Sequence, residues 1–134
     1  MSCVFCKIVN KELPSYKIYE DEDTYAFLDI AKDIDGHTVV IPKKHVTDIT
    51  DCDAETLSKV AEAIRIISKH YVEKLGYDGV NILNASGKAA EQSVFHLHFH
   101  IIPRKEEDGL HTFPVFDGAK HSLEEMVEFL KVKE

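Results

Sequence analysis

Between Phe95 and Pro103 the chain reads FHLHFHIIP, with a histidine at every second position and large apolar residues between them. Successive side chains of an extended strand point to opposite faces. The alternation therefore places His96, His98 and His100 on one face and Leu97, Phe99 and Ile101 on the other. It predicts a strand over 94–103 with an apolar back. At a rise of about 3.3 Å per residue the outer two imidazoles begin roughly 13 Å apart, too far to converge on one point unaided. They must line a groove or divide between two tasks. Histidine is uncommon, and three in register point to chemistry rather than to a solvated strand face. His98, in the middle, has neighbours that can fix its ring and leave one nitrogen facing the groove, as a nucleophile, general base or metal ligand requires. Three strand-borne imidazoles can also bind a catalytic metal by themselves, which is the competing chemistry.

The remaining pattern is that of an α+β domain. KIYE (17–20) and TYAFLDI (24–30) flank DED and read as a hairpin, and HTVVIP (37–42) after Gly36 reads as a third strand. From Asp53 the spacing becomes helical. Leu57, Val60, Ala61, Ile64, Ile67, Tyr71 and Leu75 form one apolar stripe, with Asp53 as N-cap and Gly76 as the stop. GVNILN (79–84) resumes the strands, and a polar loop, ASGKAAEQS, leads to the histidine strand. In the tail, SLEE (122–125) has capping-box form, and Leu123, Met126, Val127 and Leu130 supply a short amphipathic face. No repeat, low-complexity tract or proline-rich linker interrupts the 134 residues, of which 44% are hydrophobic. The expectation is one domain over 1–134: an antiparallel five-stranded sheet with a long central helix and a short C-terminal helix.

Sixteen basic against 24 acidic residues give a formal charge of −8. This argues against a nucleic-acid footprint, so an anionic ligand must be held by local groups. Neither a signal peptide nor an apolar run approaching ~18 residues is visible, which predicts a soluble, cytoplasmic protein without a membrane role. Three cysteines in a reducing compartment do not suggest a disulfide framework. Cys3-X-X-Cys6 is then a redox motif, half of a metal site or a coincidence. A redox pair should follow a strand and open a helix, whereas a zinc site needs two histidines from elsewhere. Cys52 reads as a small filler, and His70 as a dipole contact near the end of the central helix.

HLHFHII is similar to the motif of the histidine-triad (HIT) family, His-X-His-X-His followed by two apolar residues. FCKIVNKELP, AFLDI, GHTVVIPKKH and EQSVFHLHFHIIPR resemble the family's ordered blocks across about residues 3–104, leaving 105–134 as a tail with the unmatched His111 and His121. The resemblance implies a HIT-like fold that dimerises through its central helix and strands, with a nucleotide pocket at each triad. It implies that His98 is the nucleophile attacking the α-phosphorus, with its other ring nitrogen held by a main-chain carbonyl. His100 would donate to the phosphoryl oxygens, Ser93 would lie near the leaving group, and His37 would support the triad. Asp29 would accept from the ribose hydroxyls, Phe5, Ile8, Phe27 and Ile30 would wall the base, and Asn84 and Gln92 would complete the substrate contacts. An apolar slot of this kind should favour purines, of AMP or GMP type, without separating adenine from guanine well. Zinc-bearing members imply a structural zinc on Cys3, Cys6, His45 and His96. Many members have glycine where this chain has Glu91, an acidic residue beside a phosphate loop. The activity implied is hydrolysis of purine nucleoside 5′-phosphoramidates through a nucleotidyl-histidine intermediate. The alternatives are a dinucleoside polyphosphate hydrolase, or a nucleotide-binding or scaffold protein whose hydrolysis is incidental.

Overall fold

Asp21 turns the first hairpin. Its Oδ1 accepts from the amides of Asp23 (2.9 Å) and Thr24 (2.8 Å), which reverses the chain between β1 (Lys17–Glu20) and β2 (Thr24–Leu28). The structure, a computed structural model, describes residues 3–133. β2 pairs antiparallel with β3 (Thr38–Pro42) from Thr24 opposite Pro42 to Leu28 opposite Thr38. β5 (Phe99–Arg104) adds antiparallel to β3, and β4 (Gly79–Leu83) closes the order β1-β2-β3-β5-β4.

Helix α2 (Ala54–Lys69) starts at Asp53, whose carboxylate accepts from the Thr56 amide at 3.0 Å. It continues as a wider turn over His70–Lys74 and stops at Gly76, which takes a left-handed φ of 80°. Its apolar stripe, Val60, Ala63, Ile64, Ile67 and Tyr71, packs on Ala26, Val40 and Ile101 from one face of the sheet. On the opposite face Tyr25, Phe27, Val39 and Ile41 are covered by Phe5 and Ile8 of a short helix, α1 (Val4–Val9). With both faces covered, β3 is buried along its whole length, which explains its continuous apolar sequence.

Two expectations change. The strand expected over 94–103 enters the ladder only at Phe99. Before that point the Leu97 amide bonds to the Val46 carbonyl (2.8 Å), and the His96 ring turns away to the Pro42 carbonyl (2.8 Å), so residues 96–98 serve side-chain sites instead of the sheet. Helix α1 was not expected at all. Its cap is Cys3, whose Sγ accepts from the Cys6 amide at 3.3 Å. The tail helix α3 (Leu123–Leu130) forms with the expected capping box between Ser122 and Glu125, yet Leu123, Val127 and Leu130 are exposed. Among the described residues no helix is long and apolar enough to cross a membrane.

Candidate active site and metal centre

His98 is buried, and its Nδ1 lies 2.9 Å from the carbonyl of His96. A carbonyl only accepts, so Nδ1 carries the proton and Nε2 presents a lone pair. The His98 carbonyl accepts from Asn84 Nδ2 at 2.9 Å, and Asn84 Oδ1 accepts from Ser86 Oγ at 2.8 Å. Asn84 thus fixes the backbone that carries His98. Phe5 stands edge-on to the His98 ring, 5.2 Å between centroids, and packs on Phe27 at 5.5 Å. An apolar wall therefore flanks this imidazole.

On the other flank His100, 5.0 Å from His98 between ring centroids, places Nδ1 2.8 Å from His37 Nε2. His37 directs Nδ1 at both carboxylate oxygens of Asp33, 2.9 and 3.1 Å away. That contact holds the Asp33 carboxyl below its ordinary range. Burial, followed by the neighbouring His98 and His37 rings, pushes His100 down to about 4, so His100 is neutral near pH 7. Asp29 lies just past β2. Its Oδ1 accepts from the Ala31 amide (2.8 Å), and its Oδ2 is 3.7 Å from His37 Nε2.

The structure thus brings His98, His100, His37 and Asp29 together, with Phe5, Ile8 and Phe27 on the buried side. Ile30, expected in the same wall, lies two residues past β2, is 78% exposed and does not join these buried residues. Gln92 is buried and committed to its own loop, accepting from the Gly87 amide (2.8 Å) and donating to the carbonyls of Thr47 (2.7 Å) and Val94 (3.0 Å). Ser93 beside it is exposed. Glu91 is exposed and left-handed at φ 68°. Asp33 was not anticipated. The only signal in the sequence is its position four residues before His37, across the turn residue Gly36.

Cys3, Cys6, His45 and His96 form a second cluster, with all four donor atoms within 4.8 Å of one another. The contacts are 3.4 Å for Cys3 Sγ to His96 Nδ1, 3.4 Å for Cys6 Sγ to His45 Nδ1, 3.6 Å for Cys6 Sγ to His96 Nδ1 and 3.1 Å for His45 Nδ1 to His96 Nδ1. A tetrahedral zinc, at Zn–S about 2.3 Å and Zn–N about 2.05 Å, separates sulfur from nitrogen by about 3.6 Å and two nitrogens by about 3.3 Å. The cluster matches within a few tenths of an ångström. His96 also donates Nε2–H to the Pro42 carbonyl, the outer hydrogen bond that leaves Nδ1 free to ligate. Burial, then the neighbouring Cys3 sulfur, push the Cys6 thiol up to about 11, and a bound dication reverses that order by holding the sulfurs as thiolates. The trio Asp29, His37 and His100 is also close, but its 2.8 Å nitrogen contact is a hydrogen-bond distance, shorter than two ligands of one tetrahedral ion allow.

A five-stranded antiparallel sheet backed by one long helix, with alternating histidines at the entry to β5, is the arrangement of a histidine-triad protein. The chain belongs to the HIT domain family, whose model matches residues 10–107. An uncharacterized HIT-like protein of Borreliella burgdorferi is 48% identical over 124 residues, covering 91% of this chain and 87% of that protein. An adenosine 5′-monophosphoramidase of Saccharomyces cerevisiae is 40% identical over 106 residues, 79% of this chain and 65% of that protein. The crystal structure of a zinc-bound histidine triad family protein from Mycobacterium smegmatis superposes with a TM-score of 0.79 at 46% identity, covering 84% of this chain and 81% of that one.

Proposed function

We propose that this protein hydrolyses purine nucleoside 5′-phosphoramidates through a nucleotidyl intermediate on His98. The observation that carries the reading is the fixed tautomer of His98, with Nδ1–H bound to the His96 carbonyl and no protein partner on Nε2 among the described residues. The Nε2 lone pair attacks the α-phosphorus, the P–N bond breaks, and the amine leaves after taking up a proton. Water then attacks the nucleotidyl-histidine, giving the nucleoside monophosphate and restoring the imidazole. His100, neutral and beside His98, is placed to donate to the phosphoryl oxygens. Phe5 and Phe27 offer the base an apolar wall, and Asp29 offers the ribose hydroxyls a carboxylate.

Beside His37 and His100 the surroundings are poor in basic side chains. A cavity of about 330 Å³ beside His37 and His100 is lined by Asp33, Ile34, Leu83 and Ile102 and contains no lysine or arginine. A polyphosphate chain laid along that side would find no cation to hold it. The yeast relative, an adenosine 5′-monophosphoramidase, points to the P–N bond.

The Cys3, Cys6, His45 and His96 cluster is proposed to hold one structural zinc, supported by the fit above and by the zinc-bound mycobacterial relative. The ion would cross-link α1 to the segment before β5 while the chemistry stays on His98. Self-association through α2 and β4 is also proposed. Ile82 on the edge strand β4 is 48% exposed, and it lines one apolar depression with Val72, Ile64 and Ala61.

The test is His98→Ala, assayed beside wild type on an adenosine 5′-phosphoramidate and on a diadenosine polyphosphate. Wild type should prefer the phosphoramidate, and the variant should lose turnover while still binding AMP. Near-normal turnover by the variant, or a quenched intermediate found on Ser93 or His100, defeats the mechanism.

A further inference from the structure

We infer that Asp33 is a positioning residue, which through His37 sets the tautomer that lets a neutral His100 donate its Nε2–H to the phosphoryl group. The inference rests on the nucleotidyl-transfer reading above and adds a residue which that reading does not use.

Counting protons carries the argument. Ionised Asp33 can only accept, so the nitrogen it faces, His37 Nδ1, holds a hydrogen. The 2.8 Å contact between His37 Nε2 and His100 Nδ1 holds one hydrogen between two nitrogens. If that hydrogen belongs to His100 and the pair is neutral, His100 Nε2 is a bare lone pair and repels a phosphoryl oxygen. If His37 is the imidazolium, it donates from both nitrogens. His100 Nδ1 then accepts, and His100 Nε2 carries the hydrogen that the phosphoryl group needs. The productive state has one more proton than the neutral pair, and that proton's charge lies on His37.

The surroundings favour this division. Burial keeps His100 itself from taking up charge, with its pKa pushed down to about 4. Two carboxylates from the segment between β2 and β3 face His37, Asp33 at 2.9 Å and Asp29 at 3.7 Å. From β5 it meets His100, with His98 beyond, and His111 from the tail lines the same cavity. Among the described residues Asp33 is thus the one anion at hydrogen-bond distance, and both of its oxygens are engaged. Asp29 is already assigned to the ribose, so Asp33 is left to hold the shared proton whether or not nucleotide is bound.

The shared proton is lost as pH rises, and activity goes with it. Removing the Asp33 charge should move that loss to lower pH. The effect should be modest, because the Asp33 side chain is 55% exposed. Asp33→Asn keeps an oxygen to accept from His37 Nδ1 while removing the charge, and Asp33→Ala removes both.

The experiment uses the full metal-loaded chain. Nitrogen-15 spectra of its histidines, recorded without nucleotide, should show His37 protonated at both nitrogens and His100 protonated at Nε2 on the acid side of the titration. The alkaline fall of kcat/KM for an adenosine 5′-phosphoramidate should move down in Asp33→Asn, a modest, severalfold loss at a fixed pH on that limb. Activity should recover toward wild type at lower pH, and Asp33→Ala should not recover fully. Superimposable pH profiles for wild type and Asp33→Asn, or a hydrogen on His100 Nδ1 on the acid side of the titration, overturn the assignment. Should no phosphoramidate be turned over at all, the proposed substrate fails while the spectra still decide the role of Asp33.

Discussion

Replacing Glu91 by glycine should make the protein more stable and tighten its hold on nucleotide, for two separable reasons. Glu91 follows the short turn over Lys88–Ala90 with φ 68° and ψ 33°, closing that turn through its amide to the Lys88 carbonyl at 2.9 Å. A residue with a Cβ pays about 1–2 kcal/mol for the left-handed conformation. Glycine removes that strain but loses about 0.5–1 kcal/mol through the greater freedom of the unfolded chain. The net gain is about 0.5–1 kcal/mol, a rise in Tm of roughly 2–4 °C for a chain of this size. Urea unfolding should show a higher midpoint with an unchanged slope. The second reason is charge. An exposed carboxylate two residues before Ser93 opposes an incoming anion, so AMP should bind more tightly to the variant, and the difference should shrink with added salt. Glu91→Ala separates the two effects, since it removes the charge and keeps the Cβ. It should share the tighter binding without the added stability. Equal stability of the alanine and glycine variants, or no gain from glycine, would refute the strain argument.

Other outcomes follow from the same geometry. Protein purified without added zinc should contain one zinc per chain, and Cys3→Ser and Cys6→Ser should lose it together with thermal stability; absence of metal, or unchanged melting in both variants, removes the site. Asp29→Ala should weaken ribonucleotide binding by about 1.5–3 kcal/mol for each lost charge-assisted hydrogen bond, with a much smaller effect on the 2′-deoxy analogue; equal losses would take Asp29 out of the ribose role. His100 is held near 4 in the fold against 6.5 for a free imidazole, so the unfolded chain binds more protons between those values. Stability should therefore fall as pH drops from about 6.5 toward 4, by at most about 1.4 kcal/mol per unit from this group, and His100→Asn should flatten that slope in urea unfolding.

The strongly periodic elements were legible in the sequence because their burial is repetitive. Of the expected stripe Val60, Ile64, Ile67 and Tyr71 find one sheet face, joined by Ala63 where Ala61 was expected, while Ala61 and Leu75 are exposed; the apolar run of β3 is covered on both sides. Helix α1 was not legible, because six residues are too few to nucleate a helix by propensity. Its stability comes from burying Phe5 and Ile8 and from a cysteine cap, neither of which leaves a periodic trace. Asp33 was hidden for a different reason. It follows Lys32 at φ 57° and reaches His37 across a turn that contains Gly36 at φ 86°, so its partner is decided by backbone geometry. The amphipathic pattern of α3 predicted a helix correctly but not what its apolar side meets.

The alternation in FHLHFHIIP carries a further meaning that only the fold makes visible. A regular strand would give its three histidines equivalent surroundings. Here the ladder starts at Phe99, after His96 and His98 have passed, and the two positions become unlike. His96 turns Nδ1 to the sulfurs and Nε2 to the Pro42 carbonyl, while its own carbonyl holds Nδ1 of His98. One residue therefore joins the proposed metal cluster to the proposed nucleophile through a single backbone carbonyl. If the cluster holds the proposed zinc, movement of His96 on losing it would shift the atom that fixes the His98 tautomer, so a structural ion would still influence the rate. A two-residue spacing is what lets this happen. It is short enough for the carbonyl of one histidine to meet the ring of the next, and with the ladder not yet formed that carbonyl has no strand partner to satisfy first.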